Sequence, residues 1–510
     1  MMRHLLEDLE HTAARCPDRV AYRDGKQDIT FAQLRAASRR MGTALAGCLP
    51  RRAAVAVMMD PRGAACVPVF MGVWQAGCFY APLDPSLPEE RLRLILTNLQ
   101  PQALVCDAGR QAKAAQVCPA GCALMPCQAL EAQEEDGALL ARRRAQATPE
   151  DLATVMYTSG STGVPKGVAH TQAALRAYTD ATIDIYHFTE ETVFGNQSPF
   201  FYANSIIDIF PPIALGARVC MIPAAALSFP RTLVDFLRRE GVTELTMTPS
   251  SFVAVANAGV LTDGCLPQME YLIMSGETMP WPQLEVWMRA APRGHAWNFY
   301  GSTEMFSVSV GPVLRRYEPG TIIPVGRPFP VVSMRFMLED GTQAPQGVPG
   351  EMYVTSPMIS RCYYRDEARS AAVYVSDPLG QDGRRWIRSG DYGYLNEAGE
   401  LVVVGRRDSM IKHHGYRMEL GEVEAALRAV PGCLEACCLL QRERDELWSF
   451  VAGDVSEEQL RAHLRLRLAK YMMPDRVVIR PSLPHTSNMK LDRKALSALM
   501  EAPSCAEYSK

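Results

Sequence analysis

Short apolar segments alternate with longer stretches of helical periodicity along most of the chain. Strands are predicted at 53–58 and 103–106, and the apolar spacing between them predicts a helix at 89–99. A strand at 270–276 followed by a helix at 280–290 repeats this order. Such alternation is typical of a parallel sheet whose faces are covered by helices. The pattern therefore predicts an α/β fold.

The pattern changes after Gly347, where short apolar runs are separated by Asp/Gly turns. Runs at 351–354, 385–387 and 401–405 have the length of strands. Tight turns of this composition favour antiparallel pairing of the strands that they join. We expect a β-rich subdomain at about 320–406.

The C-terminal part contains two amphipathic helical stretches, at 421–429 and 456–468, with strand-like runs between and after them. A segment of this size is long enough to form its own core. The predicted organisation is a large N-terminal domain at 1–406, made of two α/β subdomains plus the β-rich subdomain, and a small mobile α+β C-terminal domain at 407–510. Because no long linker separates the two, any domain movement must turn on a few residues.

Charge and composition exclude several classes of protein. The 510-residue chain carries 53 Lys and Arg against 56 Asp and Glu, without a polybasic run, so neither a nucleic-acid nor a membrane-surface partner is indicated. Its apolar runs end well before the roughly 20 residues of a membrane span, and the N-terminus lacks the apolar core of a secretion signal. The 15 cysteines lie in apolar surroundings typical of reduced thiols. We expect a cytoplasmic enzyme.

The segment at 157–167 has the composition of a phosphate-binding loop. It holds three glycines, four Ser/Thr hydroxyls and Lys166. Glycines let backbone N–H groups approach phosphate closely, hydroxyls add donors, and lysine supplies positive charge. The Walker pattern does not fit, because Pro165 stands where that pattern requires glycine and Gly167 stands where it requires Ser or Thr.

The residue order of this loop resembles the phosphate-binding loop of the adenylate-forming superfamily. That superfamily includes acyl-CoA synthetases, luciferases and the adenylation domains of non-ribosomal peptide synthetases. Segments 29–34 and 74–84 resemble two N-terminal motifs whose role in the family is mainly structural. The resemblance implies the adenylate-forming enzyme fold and covers almost the whole chain.

Three further motifs complete the resemblance to a nucleotide site. In segment 298–304 the Tyr300 ring would pack on adenine and Glu304 would hold Mg²⁺. Asp391 would accept hydrogen bonds from the ribose hydroxyls, and Arg406 would contact ribose or phosphate. The resemblance implies that ATP is bound by Thr158, Ser159, Gly160, Ser161, Thr162, Gly163, Lys166, Asn298, Tyr300, Gly301, Ser302, Thr303, Asp391 and Arg406.

The C-terminal motifs imply catalysis and a change of conformation. Segment 483–494 resembles the ending that carries the family's catalytic lysine, which places that lysine at Lys490, with Met489 in place of the usual glycine. Thr158 and Glu304 complete the implied catalytic set, and Asp408 is the implied hinge. The path of the acceptor thiol would be lined by Lys412, Gly415 and Arg417.

The resemblance also locates an acyl pocket. Its implied residues are Ala203, Asn204, Ile207, Thr246, Ile273, Ser275, Phe299, Ser307 and Val308. Ala203 stands where the family has an aspartate that pairs with an α-ammonium group, and a buried ammonium without a counter-charge is costly. An acyl or hydroxy acid, an aryl acid, and an amino acid held by another group all remain open.

The residues of these motifs resemble those of peptide-synthetase adenylation domains and free-standing D-alanine carrier-protein ligases more than those of typical acyl-CoA synthetases. Since no carrier domain follows Lys510, we expect a free-standing enzyme that loads the phosphopantetheine thiol of a separate carrier protein. Two alternatives are an acyl-CoA ligase that uses free coenzyme A and a catalytically silent nucleotide-binding relative. The presence of Lys490 and Glu304 disfavours the silent relative.

Overall fold

A computed structural model describes residues 4–159, 164–276, 279–313, 323–406, 410–485 and 491–501. The chain divides into two compact units. One comprises Met1–Pro85, Asn98–Tyr157 and Gly167–Arg407, and the other comprises Ser86–Thr97, Thr158–Lys166 and Asp408–Lys510. The domain boundaries expected from the sequence stay a prediction.

Strands β1 to β15 occupy the first part of the chain. They are β1 (Val20–Arg23), β2 (Asp28–Thr30), β3 (Ala54–Met58), β4 (Phe79–Pro82), β5 (Ala103–Cys106), β6 (Ala123–Pro126), β7 (Leu152–Thr158), β8 (Lys166–Thr171), β9 (Val193–Asn196), β10 (Arg218–Met221), β11 (Glu244–Met247), β12 (Tyr271–Ser275), β13 (His295–Ser302), β14 (Phe306–Pro312) and β15 (Arg327–Pro328).

The remaining strands form the β-rich and C-terminal parts. They are β16 (Ser333–Met337), β17 (Gly350–Thr355), β18 (Cys362–Tyr363), β19 (Tyr374–Ser376), β20 (Arg385–Leu395), β21 (Leu401–Arg406), β22 (Met410–His413), β23 (Tyr416–Glu419), β24 (Cys433–Gln441), β25 (Glu446–Gly453) and β26 (Arg476–Arg480).

Helices separate most of these strands. They are α1 (Leu5–Arg15), α2 (Phe31–Cys48), α3 (Cys66–Gln75), α4 (Glu89–Leu99), α5 (Gln111–Val117), α6 (Cys127–Glu131), α7 (Gly137–Ala145), α8 (Gln172–Tyr186), α9 (Phe210–Leu215), α10 (Ala224–Ser228), α11 (Pro230–Glu240), α12 (Pro249–Asn257), α13 (Trp281–Ala290), α14 (Glu367–Val373), α15 (Leu420–Arg428), α16 (Glu457–Arg467), α17 (Arg493–Glu501) and the 3-10 helices Ala203–Asp208 and Lys470–Met472. None of the helices in the described ranges is long and apolar enough to cross a membrane.

Two large sheets form the N-terminal part. A seven-stranded sheet has the order β18-β8-β7-β4-β3-β5-β6, and a nine-stranded sheet has the order β15-β14-β13-β12-β11-β9-β10-β1-β2. One apolar cluster contains Val55 and Tyr80 of the first sheet together with Val219 and Ile273 of the second. The mixture of parallel strands and helices confirms the predicted α/β class.

The later strands form three smaller sheets. Strands β16, β17, β20 and β19 pair in that order, and β21 adds to β20. In the C-terminal part, β24, β25 and β26 form one sheet and β22 pairs with β23. Helix α16 begins at a capping box, in which Ser456 and Gln459 satisfy each other's backbone N–H groups.

Parallel strands bring their carboxyl ends to one edge of the nine-stranded sheet. Strands β9 and β11, β11 and β12, and β12 and β13 each pair in parallel. Thr246 lies beside Ile273, and Ser275 lies beside Phe299. In open α/β sheets, ligands bind outside the carboxyl ends of the strands. We therefore expect a ligand-binding site at this edge of the sheet.

Candidate active site

Most of the acyl-pocket residues predicted from the sequence lie near this edge. Ala203, Asn204 and Ile207 lie on the 3-10 helix Ala203–Asp208, and Asn204 Nδ2 is 3.5 Å from Ser275 Oγ on β12. Ile207, Ile273 and Phe299 belong to one buried apolar cluster, with Ala203 packed against it. These contacts give a wall that is mostly apolar with a few polar atoms.

The two residues predicted on β14 face different surroundings. The Ser307 hydroxyl lies 3.5 Å from the phenol of Tyr178, inside the core of the nine-stranded sheet. Val308 is buried with Met305 and Val354, in a different apolar cluster from Ile273. Both assignments to the pocket stay predictions.

The nucleotide motif spans the end of β13 and the turn that follows. The phenol of Tyr300 donates a hydrogen bond to the Asp391 carboxylate on β20. Gly301 lies where a Cβ atom would overlap the carbonyl oxygen of Phe306 on the paired strand. Glycine is therefore required there for the close approach of two backbones. Asn298 donates from Nδ2 to the carbonyl of Pro324 at 3.2 Å.

Ser389 supports the predicted ribose ligand. Its hydroxyl donates to the Met352 carbonyl at 2.7 Å and accepts the backbone N–H of Asp391 at 3.1 Å. A threonine hydroxyl has the same donor and acceptor capacity, so the serine in this sequence keeps the interaction. Asp391 itself is buried and paired in register with Arg406 on β21.

Glu304, the predicted metal ligand, is buried and held by neighbours. Its Oε1 accepts the phenolic hydrogen of Tyr363 at 2.8 Å, and its carbonyl accepts the Ser360 N–H at 2.7 Å. Next to it, His170 Nε2 lies 2.8 Å from the Thr303 carbonyl, which fixes Nε2 as the protonated nitrogen. Burial lowers the pKa of His170 to about 4, so this imidazole is neutral.

Tyr363 and His170 contact predicted site residues but were not themselves predicted from the sequence. The ring of Phe306 stacks on His170 with the centroids 4.1 Å apart, which explains why the imidazole stays buried. A lone histidine in the apolar strand directly after a phosphate loop was the only available signal.

The described part of the phosphate loop has the chemistry expected for phosphate. Thr158 Oγ1 is buried without a hydrogen-bond partner among the described residues. Such an orphaned hydroxyl suits a bound polar group. In the second unit, Lys166 Nζ is 3.4 Å from Glu419 Oε1, and both side chains are buried. Ser159 is also buried.

Several predicted residues lie outside the described ranges. These are Gly160, Ser161, Thr162, Gly163, Asp408 and Lys490. For Arg406 and Arg417 the backbone alone is described, on β21 and β23. The roles assigned to all of them stay predictions.

Gly415 closes a tight hairpin between β22 and β23. His414 and Gly415 have φ of 48° and 82°, between the paired residues His413 and Tyr416. Two central residues with positive φ are the hallmark of a two-residue hairpin turn, and glycine is favoured there. Lys412 lies on the first strand of this hairpin, opposite Arg417.

The adjacent histidines lie beside Asp445 and Asp475. His413, His414 and Asp445 offer ligand atoms within 4.8 Å of one another. However, His413 Nδ1 is 3.0 Å from the Tyr471 carbonyl and Nε2 is 3.0 Å from Asp475 Oδ2. Both ring nitrogens of His413 are therefore within hydrogen-bond distance of oxygen atoms of the protein.

Comparison with known proteins places these features in a family. Residues 9–364 match the family model described as AMP-binding enzyme, and residues 422–490 match the model of the AMP-binding enzyme C-terminal domain. The first match alone covers more than half of the chain.

Individual relatives differ greatly in length. A dimodular nonribosomal peptide synthase of Bacillus subtilis is 29% identical over 97% of this chain, but the match covers 21% of that protein. The chain spans only 6% to 21% of the length of the first curated relatives that it matches. An L-proline--[L-prolyl-carrier protein] ligase of Pseudomonas fluorescens is 28% identical over 98% of this chain and 100% of its own length.

The fold is also found among solved structures. The Vibrio cholerae adenylation domain AlmE, in complex with glycyl-adenosine-5'-phosphate, superimposes with a TM-score of 0.85 at 20% identity. The match covers 98% of this chain and 98% of that one. At this identity the likeness establishes the fold alone, and it confirms the predicted adenylate-forming architecture.

Proposed function

The chain belongs to the AMP-binding enzyme family, and from this premise we propose that it activates a carboxylic or amino acid as an acyl-adenylate and transfers the acyl group to a thiol. ATP supplies the adenylyl group and pyrophosphate leaves. The thiol is the phosphopantetheine arm of a carrier protein. Support for this acceptor comes from relatives of matching length whose names describe carrier-protein ligases.

The hydrogen bond between Tyr300 and Asp391 is the observation that carries the proposal. It joins two motifs that lie 91 residues apart and that were matched to adenine and ribose separately. Because the two side chains are in contact, the Tyr300 ring could pack on adenine while Asp391 accepts hydrogen bonds from the ribose of the same nucleoside. The nearby edge of the sheet holds the predicted acyl pocket, so both substrates would share one cleft.

The donor set suits Mg²⁺ bound together with ATP. Glu304 offers a carboxylate, and hard cations such as Mg²⁺ prefer oxygen ligands, with phosphate oxygens and water completing the shell. When bound, Mg²⁺ neutralises phosphate charge. Tyr363 would hold the Glu304 carboxylate in place, and the neutral His170 would fix the backbone at Thr303.

The chain's own residues would lower an electrostatic barrier. The substrate carboxylate must approach the α-phosphorus of ATP in line with the leaving pyrophosphate, and both reactants are anions. Lys490 would bridge the carboxylate and α-phosphate oxygens, while Thr158 and Lys166 would hold the phosphates. Lys166 would exchange its contact with Glu419 for phosphate. The roles of Asp408 as hinge and of Lys412, Gly415 and Arg417 along the thiol path remain parts of this proposal.

Two linked assays test the proposal. The first measures ATP–pyrophosphate exchange across amino, hydroxy, aryl and fatty acids, and at least one acid should support exchange. The second adds either a phosphopantetheinylated carrier protein or free coenzyme A to the preformed adenylate. Release of AMP with the carrier protein alone supports the proposed acceptor, whereas equal release with coenzyme A contradicts it and favours the acyl-CoA ligase.

A further inference from the structure

Three buried polar side chains form a cluster behind the predicted acyl pocket. Asn196 ends β9, Asp208 ends the 3-10 helix, and Glu244 begins β11. Their exposed fractions are 0%, 1% and 0%. Burying two carboxyl groups is costly unless other groups compensate, so the cluster requires an explanation. We call these three residues the oxygen cluster.

The internal hydrogen bonds satisfy only part of the oxygen cluster. Asn196 Nδ2 donates to Asp208 Oδ2 at 2.9 Å, and Thr246 Oγ1 donates to Glu244 Oε1 at 2.6 Å. Asn196 Oδ1, Asp208 Oδ1 and Glu244 Oε2 are buried without a partner among the described residues. When both carboxyl groups are ionised, all three unpartnered atoms are acceptors. The Asn196 side chain is directed into the cluster by its own bond to Asp208.

The cluster also lacks compensating charge. Within the described ranges, neither Asp208 nor Glu244 has a lysine or arginine at ion-pair distance. Burial raises the pKa of Asp208 to about 8 and raises that of Glu244 well above its ordinary value, with the Asp208 charge adding to the second effect. A cation placed among these oxygens would reverse both shifts.

The oxygen cluster adjoins two residues that are predicted to line the pocket, Ile207 and Thr246. Asp208 directly follows Ile207, and Glu244 lies on the same face of β11 as Thr246, two residues earlier. Two residues along a strand span about 6–7 Å. Glu244 is therefore set back by that distance from Thr246, at the amino end of β11, whereas Tyr300 and Glu304 lie at and beyond the carboxyl end of β13. A ligand group at the cluster would be remote from a reacting carboxylate.

We propose that the acid activated by this enzyme carries a primary ammonium group at the end distant from its reacting carboxylate, and that the oxygen cluster binds this group. The inference rests on the proposed function. An ammonium has three N–H donors and no acceptor, which matches three unpartnered acceptor oxygens. Its positive charge would compensate the two buried carboxyl groups, and its alkyl stem would lie along the apolar wall formed by Ile207 and Ile273.

Exchange kinetics with matched acids test the inference. We compare 5-aminopentanoate with hexanoate, and ornithine with norleucine, because each pair exchanges a terminal ammonium for a methyl group on a chain of equal length. The wild-type enzyme should prefer the amino-terminated acid in kcat/KM by on the order of a hundredfold, since a site built for hydrogen bonding rejects an analogue that leaves it unpaired. Glu244→Gln should reduce that preference at least about tenfold while exchange with the methyl-terminated acid persists.

Two further variants separate recognition from folding. Asp208→Asn should lower the same preference, so the test does not depend on one substitution. Asp377→Asn removes another buried carboxylate, in the β-rich subdomain, and should leave the preference unchanged. Thermal unfolding of each variant verifies that it is folded.

Each outcome has a defined meaning. Exchange by hexanoate without preference for the amine, or an unchanged preference in both Glu244→Gln and Asp208→Asn, overturns the inference and indicates that the two carboxyl groups merely share a proton. The proposed function survives that result. Absence of exchange with every acid overturns both.

Discussion

Tyr363 donates its phenolic hydrogen to Glu304 Oε1 across 2.8 Å, and both side chains are buried. The bond joins residues 59 positions apart and holds the carboxylate in one orientation. Outer partners of this kind commonly fix the geometry of a metal-binding group. We therefore propose that Tyr363 positions Glu304, the predicted Mg²⁺ ligand.

Tyr363→Phe should raise the Mg²⁺ concentration needed for half-maximal ATP–pyrophosphate exchange by about tenfold or more, because loss of an outer-shell partner typically weakens metal binding to that extent. A magnesium titration of the exchange rate measures the effect. The control is Tyr394→Phe, which removes the phenolic hydroxyl of a tyrosine on a different strand, β20. Equal magnesium dependence in both variants would show that Tyr363 has only a structural role.

Asp391→Asn should reduce discrimination between ATP and 2′,3′-dideoxy-ATP. If the carboxylate accepts the ribose hydroxyls, its loss lowers kcat/KM for ATP by about tenfold to a hundredfold, the usual range for a hydrogen bond to a charged group. The value for the dideoxynucleotide should change little. Glu397→Gln, an exposed acid on the following turn, provides the control. Parallel losses with both nucleotides would contradict the ribose assignment.

The buried Asp208 should give a distinct pH dependence of stability. Its pKa is about 8 in the folded protein because burial disfavours the charged form, and Glu244, Tyr22 and Tyr178 face it. In the unfolded chain an aspartate ionises near roughly 3.9. The folded state therefore retains a proton that the unfolded state releases, and this contribution to stability is present at low pH and lost as pH rises toward 8.

Asp208→Asn removes that titration, so the free energy of unfolding should fall less steeply with pH than in the wild type. The greatest difference in slope is about 1.4 kcal/mol per pH unit for one proton. Urea unfolding at several pH values between 5 and 8 measures it. Superimposable slopes for the two proteins would mean that Asp208 is ionised throughout.

The second unit contains a buried ion pair between Arg91 and Glu422, with side-chain exposures of 4% and 1%. Glu422→Ala removes the carboxylate that forms this ion pair with the buried guanidinium and should destabilise the unit by about 3–5 kcal/mol. Helix α4 supplies the control, because Arg93 and Glu89 form an exposed pair at 3.0 Å. Glu89→Ala should cost no more than about 1 kcal/mol. Similar losses for the two variants, measured by urea unfolding, would contradict the role of burial.

Elements with a strong apolar period were predicted from the sequence. The strand at 103–106 and the helix at 89–99 coincide with β5 and α4, and the strand at 270–276 contains β12. These predictions are confirmed. They succeeded because residues that face the core are apolar at regular intervals along a helix or strand. The hairpin of β22 and β23 was not predicted, since its four-residue strands mix charged and apolar side chains. The family resemblance is confirmed as well.

The contacts within the site were harder to predict than its motifs. Motif order pointed to Tyr300 and Glu304, but a hydrogen bond such as that from Tyr363 joins residues far apart in sequence and leaves no local pattern. The oxygen cluster could not be predicted from the sequence either, because its three residues belong to three separate elements, Asn196, Asp208 and Glu244. The roles of the motif residues themselves stay predictions.

The central claim is that the enzyme forms an acyl-adenylate with the help of Lys490. The most direct test measures acid-dependent ATP–pyrophosphate exchange by Lys490→Ala, with the wild type and Lys494→Ala for comparison. If Lys490 contacts the reacting oxygens, its loss lowers exchange on the order of a hundredfold or more, whereas Lys494→Ala keeps wild-type exchange. Exchange by Lys490→Ala at the wild-type rate would contradict the account.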